Sequence, residues 1–296
     1  MYGYPPRFEY WRPDSLGEAA AFLADHREDA VALAGGMSVL PRLKARAVRP
    51  RCVVDIGRLG ELAGGAHLAG DSIVIGALTT HADLARAELV SSRAGALAEA
   101  AGQIGDPQVR NAGTIGGSVG EVYPGADLPG CLLALGARLR CTGPKGTRTV
   151  PVAEQFGDGD RVATGGGELV VAVEVPAQPP RSGGAHVRLE RRAGVAVVGA
   201  TAQVTLDEAG RYARVRAALT ALRPGPVGVL GDGTLQGEVP GAEVHREAAR
   251  SALEGLWSYD DVKGSAGYRL DVAAAVLARA LDRAGERATR ARGGDA

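Results

Sequence analysis

Apolar positions first fall into a helical rhythm. Leu16, Ala19, Ala20 and Leu23 recur at the spacing of one helix face. Ser15 and Glu18 precede them as a capping box, in which hydroxyl and carboxylate each satisfy a free backbone N–H. An unbroken apolar run over 30–34 then stops at Gly35-Gly36, and 39–45 reads as a short helix. Residues 52–56 read as a second buried strand, closing a small α/β unit near residue 57.

From about Leu62 the pattern changes. His67-Leu68 and Ile73-Val74-Ile75 predict a hairpin across 69–72. Thr80 with Asp83 predicts a capped helix, and 91–104 another. The stretch 105–118 is dense in Gly, Pro, Asp and Asn and reads as a long loop. A helix is expected over 127–137, with strands at 139–142 and 169–175. Residues 176–184, Pro-Ala-Gln-Pro-Pro-Arg-Ser-Gly-Gly, form the best linker. Beyond it, 186–190, 195–206 and 215–222 read as a strand meander, and 245–257 and 268–284 as helices. The charged residues 288–296 are expected to fray. The division is therefore 1–57, 58–176, a linker at 177–184, a domain at 185–287 and the tail. The fold class is α+β, ending in a smaller α+β domain of antiparallel sheet plus helices.

Composition narrows the function. Of 296 residues, 45% are apolar and 23% charged, enough for an ordinary soluble core. Lys+Arg and Asp+Glu both number 34, and this balance argues against nucleic-acid or charge-driven membrane binding. Lysine is confined to Lys44, Lys145 and Lys263, so arginine carries nearly all the positive charge. Cys52, Cys131 and Cys141 are odd in number and widely spaced. They support neither a disulfide framework nor a four-thiolate cluster, and fit a reducing cytosol. Residues 1–11 lack the apolar segment of a secretory signal, and no run reaches the roughly 18 apolar residues of a membrane span. A cytoplasmic location is expected.

The 44 glycines have no triplet period and cluster in short motifs. One is Ala34-Gly35-Gly36-Met37-Ser38, directly after a predicted strand. Paired glycines allow close backbone approach and positive φ, and successive amides make an anion-binding nest. A tight strand-to-helix turn reads the same residues equally well. The other is Asn111-Ala112-Gly113-Thr114-Ile115-Gly116-Gly117-Ser118, open to the same two readings. Taken together, two Gly-Gly loops flanked by hydroxyl residues predict a diphosphate between them, held by backbone N–H groups rather than lysine. Asp127 would take ribose hydroxyls, or cap a helix, or both. His26 reads as solvated and His81 as a capping or surface residue. With His67, His186 and His245 they show no metal-ligand spacing. Residues 143–147 read as a hairpin turn, and Gly165-Gly166-Gly167 lacks the Rossmann arrangement.

From Phe8 to about Ala284 the chain resembles the flavin-binding subunits of the molybdenum hydroxylases, the xanthine dehydrogenase and aerobic carbon monoxide dehydrogenase family. The matching blocks are Ala34-Gly35-Gly36-Met37-Ser38-Val39-Leu40-Pro41, Val54-Asp55-Ile56-Gly57, Ile75-Gly76-Ala77-Leu78-Thr79-Thr80-His81, the stretch 104–117, Asp127-Leu128-Pro129, and Gly264-Ser265-Ala266-Gly267-Tyr268-Arg269. Their order and gaps agree over nearly the whole chain. The resemblance implies FAD in a two-subdomain fold of the vanillyl-alcohol-oxidase type. Ala34, Gly35, Gly36, Met37 and Ser38 would clamp the pyrophosphate against Thr114, Ile115, Gly116, Gly117 and Ser118. Asp127 would bind the adenosine ribose, and Ile104 and Leu169 would touch the cofactor. Some related flavoproteins bond flavin covalently through a histidine in the first loop. Met37 stands there without one, which implies non-covalent FAD. The molybdenum cofactor and 2Fe-2S clusters would sit only on partner subunits, a large and a small one. The chain would carry electrons to NAD, quinone or oxygen. One departure stands out. After the linker the family reads Arg-Arg-x-Gly-Asp-aromatic-Ala, whereas this chain reads Arg191-Arg192-Ala193-Gly194-Val195-Ala196. That change motivates an alternative, a stand-alone FAD-dependent oxidoreductase. A binding protein that has lost its flavin is a third.

Overall fold

The computed structural model describes residues 4–121, 123–156, 167–191 and 194–293. Gly165, Gly166, Val122, Arg192, Ala193 and the last three residues lie outside them. Among the described residues the strands form three sheets.

The first sheet is parallel, in the order β1 (Glu9–Trp11), β3 (Cys52–Asp55), β2 (Ala30–Leu33). Helix α1 (Leu16–Asp25) crosses between β1 and β2, and buries Ala19, Ala20 and Leu23. Its cap works as the sequence implies. Ser15 Oγ accepts the Glu18 N–H at 3.2 Å, and the Glu18 carboxylate accepts the Asp14 N–H at 3.1 Å. Helix α2 (Val39–Lys44) follows β2 through the first glycine loop.

The second sheet is antiparallel, ordered β4 (Ala66–Ala69), β5 (Ser72–Gly76), β8 (Leu169–Pro176), β6 (Arg138–Gly143), β7 (Gly146–Pro151). The β4–β5 hairpin turns at Gly70 in the left-handed region, φ +58°. The helix expected over 91–104 is two helices, α4 (Glu88–Arg93) and α5 (Gly95–Gln103), separated at Ala94 with φ −152°. The stretch 105–118 is not an open loop. Asp106 caps α6 (Pro107–Ala112), with Pro107 opening it, and Thr114 caps α7 (Ile115–Gly120). Helix α3 (His81–Arg86) precedes them, and α8 (Asp127–Ala134) and the one-turn α9 (Val152–Gln155) follow. The core here joins Ile73, Ile75, Leu97, Ile115, Leu128, Leu139 and Val173.

The third sheet is the meander β9 (Ser182–Glu190), β10 (Ala196–Leu206), β11 (Tyr212–Thr220), β12 (Val227–Leu230). It carries α10 (Ala242–Ser251) and the 28-residue α11 (Ala266–Gly293), whose apolar face packs Leu277, Leu281 and Ala284 against it. Two expectations change. The linker expected at 177–184 shrinks, because Ser182, Gly183 and Gly184 are buried strand residues paired with β10. The tail expected from 288 remains helix to Gly293, with Ala288 fully buried.

Candidate functional site

A cleft of about 380 Å³ opens between the parallel sheet and the five-stranded sheet. The strand–turn–helix β2–loop–α2 forms one wall, and the α6–α7 turn with α7 forms the other. The floor is apolar, with Leu23, Ile56, Leu62 and Leu169 among its residues. Leu169, at the start of β8, also belongs to the core beneath the parallel sheet, so it ties the two halves together.

The walls meet backbone to backbone. A Cβ on Gly35 would lie 1.8 Å from the Ala112 carbonyl oxygen, so only glycine permits this approach. Gly36 turns the chain at φ +73°. Among the described residues, the amides of Gly35, Gly36, Met37 and Ser38 donate to no protein acceptor. Ser38 stands at the N-cap position of α2 but makes no capping bond and holds helical angles, φ −103° and ψ −46°. Its hydroxyl is free for a ligand, unlike those of Ser15 and Thr80, which cap their helices. Exposed Met37 lies at the same wall.

The second wall works differently. Ile115 N–H donates to Thr79 O, Gly116 N–H to Ala77 O, Gly117 N–H to Thr114 Oγ1 and Ser118 N–H to Thr114 O. Its contribution is therefore a flat glycine surface and the Ser118 hydroxyl, not a second row of free amides. A Cβ on Gly116 would stand 2.7 Å from Ala77 Cβ, whereas one on Gly117 would meet only Thr114 Oγ1, at 3.0 Å.

The cleft wall thus gathers Ala34, Gly35, Gly36, Met37, Ser38, Thr114, Gly116, Gly117, Ser118 and Leu169. Three expected residues are placed elsewhere. Ile115 is fully buried in the core, because the helical turn points it away from the cleft. Ile104 packs on that core, and its carbonyl accepts Arg110 Nη1 at 3.0 Å. Asp127 is buried at the seam with the third sheet. Arg188 Nη1 donates to its Oδ2 at 2.6 Å, and His186 Nε2 lies 3.4 Å from its Oδ1. Burial alone would raise its pKa, but His186 and Arg188 hold it below the usual carboxylate range.

Other cleft residues escape sequence reasoning. Arg27 and Arg42 bring cationic groups to a cleft expected to lack them, and Arg42 Nη1 bridges to Glu121 Oε1 across the mouth at 2.6 Å. Arg42 lies one helical turn after Ser38, which is the signal that could have pointed to it. His81 is buried, not at the surface. Its N–H pairs with Gly113 O, and its ring is wedged against Gly113. Burial pushes its pKa down to about 4, so the ring is neutral near pH 7.

Free amides, the unpaired Ser38 hydroxyl, close glycine surfaces and flanking arginines suit an anionic diphosphate, and the apolar floor suits a flat organic group. No group of His, Cys, Asp and Glu able to hold a metal ion occurs among the described residues.

Comparison with known proteins agrees with this donor set. Residues 6–178 match the family model for the FAD binding domain in molybdopterin dehydrogenase, and 188–284 that for the CO dehydrogenase flavoprotein C-terminal domain. The chain is 37% identical over 281 residues to the carbon monoxide dehydrogenase medium chain of Hydrogenophaga pseudoflava, covering 95% of this chain and 98% of the relative. It is 39% identical over 293 residues to the 6-hydroxypseudooxynicotine dehydrogenase complex subunit alpha of Paenarthrobacter nicotinovorans, covering 96% of each. Among solved structures, reconstituted CO dehydrogenase from Oligotropha carboxidovorans superimposes with a TM-score of 0.90 at 33% identity, over 96% of this chain and 99% of the other.

Proposed function

Because the chain belongs to the family of FAD-binding subunits of molybdenum hydroxylases, we propose that it is the electron-transfer subunit of such a complex. It takes electrons from iron–sulfur clusters on a small partner and delivers them to an external acceptor, while substrate is oxidised at a molybdenum centre on a large partner. The observation that carries the reading is the cleft between the two glycine loops, with free amides at Gly35, Gly36, Met37 and Ser38.

The isoalloxazine of FAD supplies the redox chemistry when bound. The rest falls to this chain. The four amides and the Ser38 hydroxyl would donate to the diphosphate. Gly116 and Gly117 would leave room for it, Arg27 and Arg42 would set a favourable potential, and the Leu62–Leu169 floor would exclude water. No side chain is assigned as an acid or base. Three buried free cysteines suit a reducing compartment, supporting a cytoplasmic complex. Two relatives named for substrates as different as carbon monoxide and 6-hydroxypseudooxynicotine are similar to this chain over 95% and 96% of its length. That supports assigning substrate choice to the large partner.

Native purification from the source organism tests the reading. Mass spectrometry of the intact assembly, with metal analysis, should find this chain with a molybdenum-containing large subunit and an iron–sulfur small one. A solitary yellow protein that oxidises a substrate by itself would overturn it in favour of a stand-alone oxidoreductase.

A further inference from the structure

Ser118 lines the cleft, and among the described residues its Oγ has one hydrogen-bond partner, His81 Nε2 at 3.4 Å. His81 is 4% exposed and lines the same cleft from the start of α3, its ring against Gly113, where a Cβ would stand 2.8 Å from Nε2. Its other nitrogen, Nδ1, is buried with no hydrogen-bond partner among the described residues. Neutral imidazole carries one N–H, and the position of that proton decides what Ser118 offers. With the proton on Nδ1, a buried donor has no acceptor, which is the costlier kind of orphan. Nε2 would then accept the Ser118 proton, leaving only oxygen lone pairs facing an anion. With the proton on Nε2, Nδ1 keeps a lone pair, Ser118 Oγ accepts, and the hydroxyl proton is free to point into the cleft.

We propose that His81 is a positioning residue: its Nε2–H donates to Ser118 Oγ and turns the Ser118 hydroxyl into a donor for a diphosphate oxygen. The role rests on the reading of the cleft as the FAD diphosphate site. It also accounts for a glycine at 113, since any side chain there would displace the ring.

The test is a double-mutant cycle on the full chain, stripped of flavin and titrated with FAD by fluorescence. Ser118→Ala should weaken binding roughly tenfold, the worth of one hydrogen bond to a charged group. His81→Leu should weaken it by a similar factor in the wild type and by almost none in the Ser118→Ala background. His81→Gln, whose amide retains a donor, should restore most of the affinity. Equal losses from His81→Leu in both backgrounds, or no loss in either, would overturn the proposal and leave the FAD site standing. Failure of the wild type to bind FAD would instead remove the site itself, and the proposal with it. Should His81→Leu not fold, nitrogen NMR of the wild type decides: a proton on Nε2 supports the role, and one on Nδ1 refutes it.

Discussion

Gly35 and Gly117 face the same cleft, yet they answer to different constraints. A methyl on Gly35 would collide with the Ala112 carbonyl, so Gly35→Ala has to separate the loops. It should lower stability by on the order of 2–4 kcal/mol in urea unfolding. A methyl on Gly117 meets only Thr114 Oγ1. Gly117→Ala should keep stability within about 1 kcal/mol of the wild type while weakening FAD, measured by titration. His81 adds a pH signature. Its folded pKa near 4 lies below the ordinary value of about 6.5, so between those pH values the unfolded chain binds more protons. Its contribution to stability is present above the unfolded pKa and is lost as pH falls towards 4. Between pH 7 and pH 4.5 the urea midpoint of His81→Gln should therefore fall less than that of the wild type. The glycine motifs were legible because glycine pairs beside Ser or Thr are a local signal. The burial of His81 was not, since it depends on Gly113, a residue far along the chain.

Helix α7 shows how an element can hide from its own composition. Its sequence, Ile-Gly-Gly-Ser-Val-Gly, carries glycines that each cost about 1 kcal/mol relative to alanine, and so it reads as a loop. It forms because Ile115 and Val119, four residues apart, bury on one face and Thr114 caps it by accepting the Gly117 N–H. Thr114→Ala should cost about 1 kcal/mol, seen as a lower urea midpoint, and should loosen FAD by displacing Gly117. The strands β7 and β12 were missed for the opposite reason. Their residues are polar or short, and pairing with β6 and β11 decides their conformation. The amphipathic helices announced themselves by period, and the strands β2, β3, β5, β8, β9, β10 and β11 by their apolar runs. Their ends shifted where a neighbour supplied partners, as β10 does for Ser182, Gly183 and Gly184.

The second and third sheets are joined by charged pairs at their seam, one of them buried. Besides the Asp127–Arg188 pair, Glu99 on α5 accepts the His186 N–H at 3.0 Å and Arg287 Nη1 at 3.0 Å, linking the five-stranded sheet's helices to β9 and α11. Asp127→Ala removes the buried carboxylate from Arg188 Nη1, leaving only half-exposed Glu190 and the Gly194 carbonyl on Nη2, and should destabilise the chain by about 2–4 kcal/mol, read from urea unfolding. Asp127 was read as a ribose ligand or a helix cap, but the partner that claims it lies across the domain seam, beyond any local pattern. The cleft lies on the other side, an open junction between the parallel sheet and the five-stranded sheet. Titration of FAD into the flavin-free full chain, beside Gly117→Val with its fold verified by circular dichroism, is the most direct test. One FAD per wild-type chain and no saturable binding by the variant are expected. Undiminished affinity in a correctly folded Gly117→Val would contradict the account.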